Sequence, residues 1–117
     1  MNEAKVQFSD EAQNMFSFLA ANSMSSKKER MLFDAIRNKI ELIKNNPYYG
    51  NNVPKNLIPE YYKAKYKVKN LFRIELPIFW RMLYSLNEDK NEIEIIAFII
   101  EIIDHKKYNK RFGYKKH

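Results

Sequence analysis

Lys63, Lys65, Lys67 and Lys69 occupy every second position of the run YYKAKYKVK, residues 61 to 69. Side chains alternate between the two faces of a β-strand, so the spacing predicts a strand with Tyr62, Ala64, Tyr66 and Val68 on one face and the lysines on the other. Wound as a helix, the same residues leave no apolar stripe. Same-face neighbours on a strand stand roughly 6.6 Å apart, inside one Debye length at physiological salt, so their charges repel unless an anion lies over them. Such a row is either a solvated outer face or a surface for phosphates. A second basic stretch, from His105 to His117, carries Lys106, Lys107, Lys110, Arg111, Lys115 and Lys116 and no acid. His105 heads it, and an imidazole gives or takes a proton near cellular pH.

Composition bounds what these residues serve. Lysine plus arginine number 21 against 14 acids, a formal charge of +7, which favours a polyanionic or acidic partner. At 117 residues, 45% hydrophobic and 15% aromatic, the chain reads as one domain, 1–117, able to bury a core. The absence of cysteine removes any disulfide framework or thiolate metal site. With two distant histidines, no HExxH, no CxxC and no Gly-rich phosphate loop, the chemistry expected needs neither metal nor cofactor. Glu75 and Glu101 alternate with apolar neighbours and read as facing solvent or pairing with lysine. The longest apolar run, IIAFII from Ile95 to Ile100, is far short of the roughly 20 residues of a membrane span. Met1 leads into polar sequence rather than an apolar leader, so a cytoplasmic protein with no membrane partner is expected.

The positioning elements follow in order. AKVQF is a short β-leaning segment, after which Ser9 is a plausible N-cap with Asp10 and Glu11 in a first helical turn. Ala12, Met15, Phe16, Leu19 and Ala20 line one helical face, and Leu32, Ala35, Ile36, Ile40 and Ile43 line another until NNP stops it before Pro47. These form a helical hairpin. A Pro-rich loop covers 47 to 60. Beyond the lysine strand, Pro77 places a bend in LFRIELPIFWRMLYSL, with a new strand from about Phe79 to Leu86. NEDKN, 87 to 91, makes a polar hairpin turn, and Ile93 to Ile102 is a β-branched strand covered on both faces. The fold class is therefore α+β: an N-terminal strand, a helical hairpin, a mainly antiparallel sheet of three or more strands, and a short basic C-terminal segment.

That order, with Asn46, Pro47 and Gly50 closing the second helix and then KNLIPEYYKAKY, WRMLYSL and IIAFIIEIIDHKKYNK, resembles the RelE/ParE superfamily of type II toxins over nearly the whole chain. The RelE branch cuts messenger RNA in the ribosomal decoding site, and the ParE branch poisons DNA gyrase without the basic catalytic set. On the RelE-like pattern, the resemblance implies that Lys63 and Lys65, Arg81 in WRMLY, and His105, Lys106 and Tyr108 in HKKY form the catalytic set. Lys67, Lys69, Lys107, Lys110 and Arg111 are then expected to hold RNA. Two departures stand out: lysine replaces the usual arginine after the last strand, and KNLFRIELPIF lengthens the usual short turn between the second and third main strands. The resemblance also implies a neutralising antitoxin, an acidic or amphipathic segment, besides mRNA and the ribosome as partners.

The residue types fit metal-free RNA cleavage, in which the substrate's 2′-hydroxyl attacks the adjacent phosphate and the protein supplies a base, positive charge and an acid. The planar guanidinium of Arg81 suits two phosphoryl oxygens. Lys63 or Lys65 would act as base if like-charge crowding depressed a pKa, and otherwise as a phosphate anchor. Tyr108 is expected to stack on a base, to donate its phenol, or to cap the core. The alternatives are a ParE-like gyrase inhibitor and a non-catalytic module binding RNA or an acidic peptide.

Overall fold

The computed structural model describes residues 3–89 and 94–113. Ser9 starts the first helix as expected: its Oγ accepts the Ala12 N–H at 3.0 Å, while its hydroxyl donates to the Ile100 carbonyl. This cap joins β1 (Lys5–Phe8) to α1 (Asp10–Asn22), and Ser26 caps α2 (Lys27–Asn45) in the same way. The two helices form the predicted hairpin, burying Ala12, Leu19, Leu32, Ile36 and Ile43 against the sheet. Strands β2 (Asn51–Asn52), β3 (Phe72–Glu75), β4 (Arg81–Asp89) and β5 (Glu94–Ile103) complete it in the order β1-β5-β4-β3-β2, with β1 parallel to β5 and the other pairs antiparallel. The fold is α+β. Phe72, Ile74, Met82, Tyr84 and Ile99 face the hairpin, whereas Leu71, Leu83, Ile100 and Ile103 face a second core under α3 (Glu60–Tyr66) and α4 (His105–Phe112).

The lysine run departs from expectation. Residues 60–66 are helical, so the strand predicted for 61 to 69 does not form. The period-2 pattern that suggested it also places Tyr62 and Tyr66 four residues apart, on one helical face, and there Tyr62 is fully buried. Pro59 at the helix entrance and Glu60 in the first turn are helix-start signals that outweigh the short alternation. Lys67 closes the helix in the left-handed region, φ 56°, and the chain re-enters the sheet at β3. The apparent insertion KNLFRIELPIF is thus no lengthened turn, since it holds β3 itself.

Other boundaries move less. The bend at Pro77 is a 3₁₀ turn over Pro77–Phe79, and the next strand begins at Arg81. That strand runs through Asp89, so Asn87 to Asp89 pair with β5 instead of turning, and Lys90 and Asn91 of the predicted turn lie outside the described residues. The basic C-terminal segment forms α4, ended by Gly113 at φ 73°; Lys115, Lys116 and His117 lie outside the described residues. The Asn46–Gly50 loop is held by Tyr84, whose hydroxyl donates to the Pro47 carbonyl at 2.7 Å and accepts the Gly50 N–H at 2.9 Å. A Cβ at Gly50 would stand 2.9 Å from that ring, so the close approach requires glycine. Among the described residues, no helix is long and apolar enough to cross a membrane.

Candidate anion site

Alternation along β3 puts Phe72, Ile74 and Leu76 into the hairpin core and sends Arg73 and Glu75 to the other face. Antiparallel pairing sets Glu75 opposite Arg81 and Arg73 opposite Leu83, so both arginines and the carboxylate share that face. The Glu75 carboxylate takes Arg73 Nε at 3.1 Å and Arg81 Nε at 2.8 Å. On the C-terminal side, the Asp104 carboxylate caps α4 by accepting the Lys107 N–H at 2.8 Å, which fixes where the first turn presents Tyr108. The Tyr108 hydroxyl accepts a hydrogen bond from Arg73 at 2.8 Å, and its ring lies 4.7 Å below the Arg81 guanidinium. Two strands and a helix therefore converge on a pair of arginines.

The surroundings reinforce the positive field. His105, Lys106 and Lys107 fill the first turn of α4, where the helix dipole already disfavours cations and favours anions. His105 is exposed, its Nε2 accepts the Asn109 amide N–H at 3.2 Å, and its ring packs on Phe79 with centroids 5.9 Å apart. Lys106 is exposed beside it. A cleft of about 320 Å³ lined by Lys39, Tyr49, Asn51, Arg73 and Glu75 opens at the β2–β3 edge.

Of the expected catalytic set, Arg81 and Tyr108 meet here and His105 packs on Phe79, whose carbonyl Arg81 contacts; Lys106 follows His105, exposed, in the first turn of α4, and Lys63 and Lys65 do not take part in this cluster. Lys65 is bound to the Glu11 carboxylate at the start of α1 and lies against Tyr61 and Tyr66. The Glu11 hydrogen bond raises the Lys65 pKa, opposite to the depression a lysine base would need. Reciprocally, Lys65 and Tyr66 hold the Glu11 pKa down at about 2. Lys63 is exposed on α3, with no side-chain hydrogen bond or ion pair among the described residues. Tyr108 is 3% exposed and stacked on Phe112, which leaves no ring face for a nucleobase; its place is in the core, positioning the arginines.

The expected RNA-holding residues divide as well. Arg111 is committed to the buried Glu101 carboxylate at 3.0 and 3.2 Å and to the Tyr61 ring at 3.7 Å. Lys107 reaches Glu101 at 3.9 Å, and Lys110 is exposed on α4. Lys67 and Lys69 line a cleft with Tyr48, Asn52 and Leu86, towards the end of β4 away from Arg81. Glu101 is 2% exposed, which corrects the solvent-facing reading of that residue but keeps its pairing with a basic side chain. Arg73 is absent from the expected set, and Glu75, read as facing solvent or pairing with lysine, is half-exposed and pairs with two arginines instead. The strict alternation of FRIEL was the available signal, since it places both on the face opposite Phe72 and Ile74.

No family model matches the chain, and no curated protein or solved structure matches it either.

Proposed function

We propose that this protein is a RelE-like toxin, a metal-independent endoribonuclease that cuts mRNA on the ribosome in the cytoplasm. The observation that carries the reading is the convergence of Arg73 and Arg81, from neighbouring strands, on Tyr108 and Glu75 beside the cationic first turn of α4. A phosphodiester entering there meets two planar guanidinium groups, each able to take two phosphoryl oxygens. The RNA 2′-oxygen then bonds to phosphorus while the bond to the 5′-oxygen breaks, giving a 2′,3′-cyclic phosphate and a free 5′-hydroxyl.

The developing negative charge falls on oxygens held by Arg73 and Arg81. In this reading Glu75 accepts the 2′-hydroxyl proton once phosphate replaces it on the arginines, and His105, packed on Phe79, protonates the leaving 5′-oxygen. Lys106 adds charge at the rim. An antitoxin fits the same reading: Phe18, Met24 and Met31 are exposed on the helical hairpin, where an amphipathic segment would cover them.

The test is to add the purified chain to a programmed translation extract and map mRNA ends. New ends bearing 5′-hydroxyls within the open reading frame are expected. Intact mRNA would overturn the reading, and inhibition of gyrase supercoiling alongside intact mRNA would favour the ParE-like alternative.

A further inference from the structure

The turn between β3 and β4 holds a side chain that folding does not use. Phe79 is 71% exposed and Ile78 46% exposed, although both are large and apolar. Both also adopt positive φ, 60° in each case, in a region that β-branched and bulky residues rarely enter. The surrounding contacts impose this shape. The Leu76 N–H donates to the Trp80 carbonyl at 2.9 Å, and the Trp80 N–H to the Pro77 carbonyl at 3.2 Å. Leu76 is buried and Trp80 is packed against the hairpin core, so both ends of the turn are anchored. Arg81 closes it from the side by donating to the Phe79 carbonyl. An unfavourable backbone kept in place by this many contacts, only to expose a phenyl ring, points to use at the surface.

The ring's position says what that use is. Arg81 contacts the Phe79 backbone and also lies over Tyr108, so Phe79 adjoins one of the two guanidinium groups of the phosphate seat. His105 packs against the ring at 5.9 Å with the planes inclined by 58°. A base sandwiched between two parallel rings needs roughly 7 Å, twice the contact distance of about 3.5 Å between carbons, so none fits between His105 and Phe79. The solvent side of the ring is open.

We propose that Phe79 is a stacking platform for an unpaired nucleobase of single-stranded RNA, adjoining the phosphate held by Arg73 and Arg81. This rests on the ribonuclease reading for its substrate class and adds to it how the strand is oriented. Stacking selects flat aromatic bases with little regard to sequence and disfavours a paired helix, whose bases keep their faces covered.

The experiment uses an RNA carrying 2-aminopurine beside the cleavage site and a 2′-deoxy sugar at it, so that the strand binds without being cut. It is presented free and in programmed ribosomes to the full chain and to Phe79→Ala, Phe79→Leu and Phe79→Trp, substitutions at a solvent-exposed position. Fluorescence quenching is expected with the wild type and Phe79→Trp. Phe79→Ala and Phe79→Leu are expected to lose it and to bind roughly tenfold more weakly, the loss of one stacked base. Equal quenching and affinity in Phe79→Ala, or no quenching with the wild type in either presentation, overturns the platform. Quenching by a wild-type protein that leaves ordinary mRNA intact keeps the platform and overturns the ribonuclease reading instead.

Discussion

Two groups built from arginine, carboxylate and tyrosine share the sheet face beneath α3 and α4; the tyrosine is buried in both, and they differ in whether the carboxylate is. In one, the Glu101 carboxylate is 2% exposed, receives the Tyr62 hydroxyl at 2.7 Å, and is bound by Arg111. Burial and the adjacent Glu101 charge push the Tyr62 pKa up, so the phenol stays a donor. In the other, the tyrosine is buried and the carboxylate is not: the Glu75 side chain is 52% exposed while Tyr108 lies under Arg81. A buried carboxylate demands permanent partners, because removing one leaves a charge without compensation. Glu75 is half-hydrated while its arginines are not, Arg81 being 12% and Arg73 33% exposed, so a phosphate arriving from the solvent side can take the carboxylate's place on them without leaving a buried charge unpaired. The first group ties α3 and α4 to the sheet; the second keeps two arginines aimed and exchangeable.

The contrast predicts opposite consequences for chemically similar substitutions. Arg111→Leu should cost about 3 kcal/mol of folding stability, read as a lowered denaturation midpoint in urea, because Glu101 would keep only Tyr62 and the distant Lys107. A change under about 1 kcal/mol would mean that Glu101 is not the committed anchor. Arg73→Ala should slow mRNA cleavage by roughly 30-fold, about 2 kcal/mol of transition-state stabilisation, with the midpoint nearly unmoved. Loss of stability in place of activity would assign Arg73 to the fold. The smallest effect lies at Glu11, whose pKa falls from 4.5 to about 2 on folding. Its stabilising share is therefore present above pH 4.5 and lost as pH falls towards 2, and exposure limits it to under about 1 kcal/mol. Comparing acid unfolding of Glu11→Gln with the wild type measures it: the difference in stability should vanish near pH 2, and a difference that grows there would be the wrong sign.

Much of this arrangement was legible in the residues. Helical spacing marked the hairpin faces, Ser9 marked the first cap, and Pro77 marked the bend before β4. Arg81 and His105 were legible as positions where β4 and α4 begin, and the structure brings Tyr108, one turn into α4, under Arg81. The lysine run misled because nine residues are too few to separate a period of 2 from one of 3.6 when both bring Tyr62 and Tyr66 to one side. Tertiary contacts decided it: Tyr62 finds Glu101, and Tyr66 finds Glu11. Arg73 and Glu75 were hidden for another reason. Their importance arises from β3 pairing with β4, a contact that local spacing does not announce.

The most direct measurement is the single-turnover rate of mRNA cleavage in programmed ribosomes for Arg81→Ala and Arg111→Leu, both assayed at a temperature where each is folded. The account predicts that Arg81→Ala slows cutting by at least about a hundredfold, the scale of losing a principal oxyanion donor, while folded Arg111→Leu cuts within a fewfold of the wild type. Equal cutting by Arg81→Ala and the wild type would contradict it.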